Sequence, residues 1–161
     1  MKPIRFPARP LVALMVCSLL VASSIIAQEK KEKSLYQRLG GYDAIAAVVD
    51  DFVPRLVGDP TLVKFFVGHG EDSKKRIRQL VVDQLCEATG GPCIYVGRTM
   101  KLSHAGLGIT EENWNAAVKH LVASLDKFKV PQKEKDELLA ITSSLRADIV
   151  APTSGSDNMK K

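Results

Sequence analysis

The stretch Tyr95–Ile109, which reads YVGRTMKLSHAGLGI, holds one histidine, His104, in a short segment bounded by glycines. Gly97 precedes this histidine, and Gly106 and Gly108 follow it. By default, a histidine on an amphipathic helix is a hydrogen-bonded structural residue. Here, glycine turns on both sides can hold the ring in a fixed position between two helical regions. We therefore take His104 as the candidate functional residue.

Helical patterns lead up to this stretch. They predict a short helix over residues 34–39, an amphipathic helix over 42–57 and a capped helical turn over 59–66. Pro54 should kink the second helix, because proline removes one backbone donor. A further helix should begin at residue 72 or 73 and end near 89. Its expected apolar stripe is Ile77, Leu80, Val81, Leu85 and Ala88, and basic residues in its first turns are Lys74, Lys75, Arg76 and Arg78.

These four basic residues have the wrong sign for the positive end of a helix dipole, so either water solvates them or an external anion offsets them.

After the stretch Tyr95–Ile109, Thr110 caps a long helix and Pro131 opens the last one. The two apolar faces continue the helical spacing, and no strand pattern competes with it. The sequence therefore predicts an all-α domain. The faces are Trp114, Ala117, Val118, Leu121, Val122, Leu125 and Phe128, then Leu138, Ile141, Thr142, Leu145 and Ile149.

The N-terminus has the order of a secretory signal peptide: basic residues, then an apolar run over 11–27, then a charged linker over 28–33. Cleavage after Ala27 would place the domain in the periplasm or otherwise outside the cytoplasm. The alternative is an uncleaved anchor, because the apolar run is just long enough to span a membrane. After cleavage, we expect no stable membrane association. Residues 151–161 should form a disordered polar tail.

Composition excludes one large class of function. The full chain has a net charge of +5, but residues 28–161 carry 20 Lys and Arg against 18 Asp and Glu, which leaves +2. Nucleic-acid binding usually needs a concentrated basic face, so we expect no nucleic-acid partner. A chain of 161 residues is long enough for one domain with a real core.

Several motifs together resemble group I truncated haemoglobins, which are short globins with a two-over-two helical sandwich. The motifs are LYQRLGGYDAI, VVDDF, DPTLVKFF and GGPCIYVGRTMKLSHAGLGIT, and the resemblance covers residues 34–150. It implies that His104 is the proximal ligand of a haem iron, a common role for a single histidine. The sequence has no Cys-x-x-Cys-His motif, so b-type haem is expected.

The resemblance also assigns a haem pocket. Phe66 would pack against the porphyrin, Phe52 would form part of the distal wall, and Ile77 and Val81 would face the bound ligand. Val53 stands where the family usually has a tyrosine that holds oxygen. None of these distal side chains can donate a hydrogen bond, which predicts weak or quickly released oxygen. Further pocket residues would be Tyr95, Met100, Ile109, Trp114 and Ala117.

Other candidates remain open. Cys86 and Cys93 flank a Gly-Gly-Pro reversal and could form a disulfide or remain two buried thiols. His120 should form a hydrogen bond across the core. His69 should be solvated, with a sixth iron ligand as the alternative. Candidate contacts for the haem propionates are Lys74, Arg76 and Arg78.

The leading function is reversible binding of a diatomic gas (oxygen, nitric oxide or carbon monoxide) at the haem iron. One alternative is nitric oxide dioxygenase or peroxidase-like chemistry, which would need an unidentified external reductase. Peroxidase chemistry also needs a distal acid–base residue, and the predicted pocket has none. The other alternative is a haem-free exported helical adaptor.

Overall fold

The computed structural model describes residues 32–152, and within that range every regular element is helical. The expected signal peptide over 1–27, most of the linker over 28–33 and the end of the tail over 151–161 lie outside the described residues. None of the described helices is long and apolar enough to cross a membrane. The elements are α1 (Leu35–Arg38), α2 (Tyr42–Gly58), a 3-10 turn (Val63–Phe66), α3 (Glu71–Ala88), α4 (Met100–His104), α5 (Glu111–Lys127), α6 (Gln132–Ser144) and α7 (Arg146–Ile149).

Helix α2 lies at the centre of the packing and contacts α3, α5 and the 3-10 turn. Its apolar face divides between two clusters, one shared with α1, α5 and α6 and the other shared with α3. Each fully buried aliphatic side chain in them contributes roughly 1.5–3 kcal/mol relative to exposure. The first cluster is Leu35, Val48, Leu121, Leu125 and Leu138, and the second is Ile45, Val49, Val53 and Val82.

Helix ends follow the capping chemistry of the sequence. Ser34 forms a capping box at the start of α1. At its end, Gly40 adopts a φ of +99°, and the amide of Gly41 donates to the carbonyl of Tyr36 at 2.9 Å. Helix α5 ends in the same motif, but with Lys129 at a φ of +55°. A side chain in this left-handed region costs about 1–2 kcal/mol, so Lys129 is a strained exception.

One predicted helix is continuous as expected, and another is divided. Helix α2 runs on through Pro54 and ends at Gly58. The helix expected after Pro131 is divided into α6 and α7 at Leu145. There the amide of Leu145 donates to the carbonyl of Thr142 at 3.0 Å, which is the tighter bonding of a 3-10 turn.

The first turn of α3 corrects the predicted charge imbalance. The helix begins at Glu71, so Glu71 and Asp72 both lie in its first turn, where negative charge is favourable. Lys74 pairs with Glu71 at 2.9 Å, and Lys75 lies 3.6 Å from Asp72. Lys74 and Lys75 therefore have acidic partners within the first turn of their own helix.

The predicted apolar stripe of α3 was wrong in part. Val82 and Cys86 are fully buried although the stripe omitted them, while Ala88 is exposed. The reason is that α3 packs along α2, so the face containing Val82 points into the second cluster. Ile77 and Val81 remain half-buried at the margin of this contact.

Candidate functional site around His104

The ring of His104 is held by its own helix. Thr99 caps α4 by accepting a hydrogen bond from the amide of Leu102. Four residues before the histidine, the carbonyl oxygen of Met100 lies 2.8 Å from Nδ1 of His104. Because a carbonyl can only accept, Nδ1 carries the proton and Nε2 keeps a free lone pair. The imidazole is half-buried, and this tautomer leaves Nε2 as the ring nitrogen available to a ligand.

The segment on either side of His104 is anchored by the chain around it. Helix α4 packs against α7, and the amide of Ala151 donates to the carbonyl of Ile109 at 2.8 Å. Gly106 and Gly108 take φ values of +78° and +64°, which L side chains rarely adopt. The glycines therefore allow the chain to turn sharply between α4 and α5, as the sequence indicates.

On the other side of α4, Tyr95 folds across the backbone. A Cβ on Gly97 would lie 2.2 Å from the Tyr95 hydroxyl oxygen, so only glycine fits there. The Tyr95 hydroxyl donates to the carbonyl of Arg98 at 2.8 Å. Partial burial raises the pKa of Tyr95 above its ordinary value, so the hydroxyl stays protonated as a donor. The predicted pocket residue Tyr95 thus also shapes the loop that leads into α4.

The predicted pocket residues come from five parts of the described chain. Helices α3 and α4 share no extended contact with each other, so Ile77 and Val81, which are neighbours on α3, are not part of a helix–helix interface with the helix that carries His104. All three are half-buried rather than enclosed. Val53, Ile109 and Trp114 are buried, whereas Phe52, Phe66, Tyr95, Met100 and Ala117 are half-buried.

A cleft of about 670 Å³ lies between the end of α2 and the start of α3. Val53 lines it, but His104 and the other predicted pocket residues do not. A second cavity, of about 130 Å³, lies inside the first apolar cluster. Neither volume is a site formed around His104, so we base the candidate site on the imidazole and its supports.

Two of the three candidate propionate contacts, Lys74 and Arg78, line the cleft between α2 and α3, and both already have partners. Arg78 donates to both oxygens of Asp50, at 2.7 and 2.8 Å, and this contact holds the pKa of Asp50 below its ordinary value. Lys74 pairs with Glu71. Arg76 is exposed to solvent. A role for the three basic residues in binding propionates therefore stays a prediction.

The other two histidines differ in their surroundings. Nε2 of His120 lies 2.7 Å from an oxygen of Asp59, which confirms the predicted hydrogen bond and links α5 to the residue that follows α2. Asp59 also accepts from the amide and hydroxyl of Thr61, at 2.7 and 2.6 Å. His69 is exposed in the loop before α3. The sequence indicated a cap at Asp59 but gave no sign that His120 would reach the same carboxylate.

Cys86 and Cys93 are joined by a disulfide, with their α-carbons 5.7 Å apart. Gly90 and Gly91 make the reversal between them, and the amide of Gly91 donates to the carbonyl of Cys86 at 2.8 Å. A Cβ on Gly91 would lie 2.7 Å from the Cys86 sulfur, so a side chain there would push against the bridge. The disulfide therefore ties the end of α3 to the loop that carries Tyr95.

The sequence profile of the bacterial-like globin family matches residues 34–151. The chain belongs to this family. It is 32% identical to the group 1 truncated hemoglobin GlbN of Mycolicibacterium paratuberculosis, over 81% of this chain and 96% of that protein. It is 28% identical to the group 1 truncated hemoglobin LI410 of Chlamydomonas moewusii, over 91% of this chain and 85% of that protein.

Solved structures show the same fold for this globin. Truncated hemoglobin from Tetrahymena pyriformis, in its Fe(III) form, superposes with a TM-score of 0.69 at 24% identity, covering 74% of this chain and 100% of that one. The 2/2 hemoglobin from a Synechococcus species, in the cyanomet state with covalently attached heme, gives 0.67 at 28% identity, covering 73% and 98%. The matched region makes up almost the whole of both of those chains.

Globins are haem proteins, so the family implies haem as the cofactor. The residues around His104 fit that group in donor chemistry. A neutral Nε2 can donate its lone pair to iron, while Nδ1–H donates a hydrogen bond to the Met100 carbonyl. The apolar side chain of Leu107, which is exposed three residues after His104, fits a cofactor whose faces are apolar.

Proposed function

We propose that this globin binds b-type haem through Nε2 of His104 and reversibly binds a diatomic gas. The hydrogen bond from Nδ1 to the Met100 carbonyl carries the proposal, because it fixes both the tautomer and the direction of the ring. Haem, when bound, would supply an iron to which a diatomic gas can bind. The protein supplies the imidazole, orients it and surrounds the site with apolar side chains.

The distal residues support weak retention of oxygen. Val53 is buried, Ile77 and Val81 are half-buried, and none has a hydrogen-bond donor in its side chain. A donor to a polarised ligand contributes roughly 1–3 kcal/mol, or about one to two decades in affinity. Oxygen is more polarised than carbon monoxide when held by such a site, so the lack of a donor should weaken oxygen most.

An absorption spectrum tests the proposal. The domain over residues 28–161, supplied with haem, should show a Soret band, and ferrous protein should shift on addition of carbon monoxide. His104→Gly should lose the histidine-ligated spectrum, and added imidazole should restore it by occupying the vacated space. His69→Ala is the matched control, and its spectrum should equal that of the parent. A His104→Gly spectrum identical to the parent would reject His104 as the ligand.

We also propose that residues 1–27 act as a secretory signal and that the globin works in the periplasm or another exported location. The order of basic, apolar and small residues supports this assignment. The disulfide between Cys86 and Cys93 supports it independently, because such bonds persist mainly in oxidising compartments. Mass spectrometry of the protein recovered from its host should find an N-terminus at Gln28. An intact Met1 terminus on cytoplasmic protein would reject export.

A further inference from the structure

The loop before α4, together with the start of that helix, carries basic residues without nearby acidic ones. No Asp or Glu occurs between Glu87 and Glu111, although the chain contains 18 in all. Arg98 and Lys101 fall in this interval, and both are exposed. Neither forms an ion pair with another residue of the range 32–152. The interval therefore presents uncompensated positive charge to its surroundings.

Three aliphatic side chains accompany this charge. Ile94 is 75% exposed, Val96 is 77% exposed and Leu102 is 64% exposed, which are high values for residues of this type. Single exposed apolar residues are common and need no explanation. Here three of them lie within nine residues of the chain, beside two cations, and we name this exposed segment the basic apolar edge. It comprises Ile94, Val96, Arg98, Lys101 and Leu102.

The local structure holds these side chains outward. Tyr95 folds over Gly97 and donates to the Arg98 carbonyl, so its two neighbours, Ile94 and Val96, project on the other side of the extended chain. Cys93, immediately before them, is bonded to α3. The exposure of Ile94 and Val96 thus follows from the extended course of the chain between Cys93 and Arg98.

We propose that the basic apolar edge docks this globin reversibly on an anionic lipid surface. Because the edge is positively charged, we expect its partner to be negatively charged. The apolar part consists of Ile, Val and Leu with a lysine beside them, whereas the centres of protein interfaces favour aromatic residues, Met and Arg and disfavour Lys. Membrane-surface segments gain affinity from aliphatic insertion together with Lys and Arg attraction to anionic headgroups. The contact is peripheral and does not require a spanning helix.

Docking at this edge would place the gas-binding site beside the bilayer. Leu102 and His104 lie on the same short helix, so a lipid surface at Leu102 is close to the candidate ligand. Diatomic gases are apolar and dissolve better in hydrocarbon than in water. The bilayer would therefore act as a local reservoir of ligand. The docking itself does not depend on haem and can be tested apart from the gas-binding function.

Co-sedimentation with vesicles tests the inference. The domain over residues 28–161, loaded with haem, is mixed with vesicles of phosphatidylglycerol and phosphatidylcholine in equal parts, or of phosphatidylcholine alone. Binding should occur only to the anionic vesicles and weaken as salt rises, since ions screen exposed charge. Each basic residue near such a surface strengthens binding roughly fivefold. The variant R98E/K101E should therefore bind at least about 20-fold more weakly.

Aliphatic and control variants complete the test. Ile94→Ser with Val96→Ser should reduce anionic-vesicle binding while leaving the Soret band intact. The control for charge is K119E/K133E, at two exposed lysines on α5 and α6, and the control for exposed aliphatics is Val67→Ser, which is 77% exposed outside the edge. Both controls should bind as the parent does. Equal binding by R98E/K101E would overturn the inference. So would binding to soluble polyglutamate as tight as to vesicles and unaffected by the serine changes, because that result indicates an acidic protein partner.

Discussion

At the scale of single residues, Val53 is the position at which the resemblance to truncated haemoglobins leads us to expect a tyrosine. It is buried on α2 at the second apolar cluster and lines the cleft between α2 and α3. A valine supplies bulk without a donor, so it can shape the pocket and yet leave a polar ligand without a hydrogen bond. The cleft of about 670 Å³ beside Val53 leaves room for a larger side chain at this position.

We predict that Val53→Tyr slows the release of oxygen by about one to two decades, because its hydroxyl can donate to the polarised ligand. Val53→Phe is the matched control, since it adds the same ring without the hydroxyl. Stopped-flow measurement of oxygen and carbon monoxide release distinguishes the two effects. Carbon monoxide should change little in either variant. Equal slowing of oxygen release by Phe and Tyr would show that bulk, not hydrogen bonding, controls retention.

The ionised carboxylate of Asp59 contributes to the stability of the domain at low pH. Hydrogen bonds from Thr61 and His120 lower the pKa of Asp59 from 3.8 to about 2. Because the pKa is lower in the folded state, the carboxylate stabilises the fold fully above pH 3.8, and this contribution disappears as the pH falls through about 2. Below pH 3.8 the unfolded chain binds a proton at this carboxylate more readily than the folded protein does, so a falling pH lowers the free energy of unfolding.

We therefore predict that Asp59→Asn lowers Tm at neutral pH and that the gap from the parent narrows as the pH falls from 3.8 toward about 2. Thermal unfolding followed by circular dichroism across that pH range measures the gap. Glu87→Gln, at an exposed carboxylate near the end of α3, should give no comparable dependence on pH. A constant gap for Asp59→Asn would mean that the lost contacts matter but the ionisation does not.

At the scale of elements, the disulfide is the clearest covalent link between two parts of the candidate site. It closes a short loop across the reversal at Gly90 and Gly91, with a sequence separation of 7 between Cys86 and Cys93. The chain-entropy model gives about 2–3 kcal/mol for so short a loop. Cys86 is fully buried, so the bridge is also part of the packing around α3.

We predict that reduction by a dithiol lowers the free energy of unfolding by about 2–3 kcal/mol. Urea unfolding of oxidised and reduced protein, with alkylation to trap the thiols, measures the difference. The variant C86A/C93A should be less stable than the oxidised parent and should not respond to the reductant. A reductant effect of the same size in that variant would assign the loss to something other than the bridge.

At the scale of the whole molecule, the all-helical order was predictable because caps, glycine pairs and apolar spacing agree along the chain. Which side chains of each helix are buried was less predictable from the sequence. Phe128 continues the apolar spacing of α5 but is 42% exposed at the helix end, whereas Ser124 is fully buried and donates to Asp51 at 2.8 Å. Periodicity identifies a helical face but not its partner. His104 could be found from its setting, while the bond to Met100 follows from ring orientation, which spacing does not determine.

The same whole-molecule packing predicts where the haem-free domain opens. Helices α2, α3, α5 and α6 share the two apolar clusters, whereas α4 packs mainly on the short α7. Segments with few buried apolar contacts open at low cost in free energy. The loop and helix that include Arg98 and Lys101 should therefore be the least protected part of the described chain without its cofactor.

We predict that trypsin first cleaves haem-free protein after Arg98 or Lys101 and that haem slows this cleavage strongly. A ligand at about 100 times its Kd stabilises the folded state by about 2.7 kcal/mol, so Tm should rise as well. Lys119, exposed within α5, is the internal control and should be cut late in both states. His104→Gly should abolish most of the protection by haem. Early cleavage at Lys119, or equal protection of the His104→Gly variant, would show that the cofactor does not stabilise this region through the imidazole.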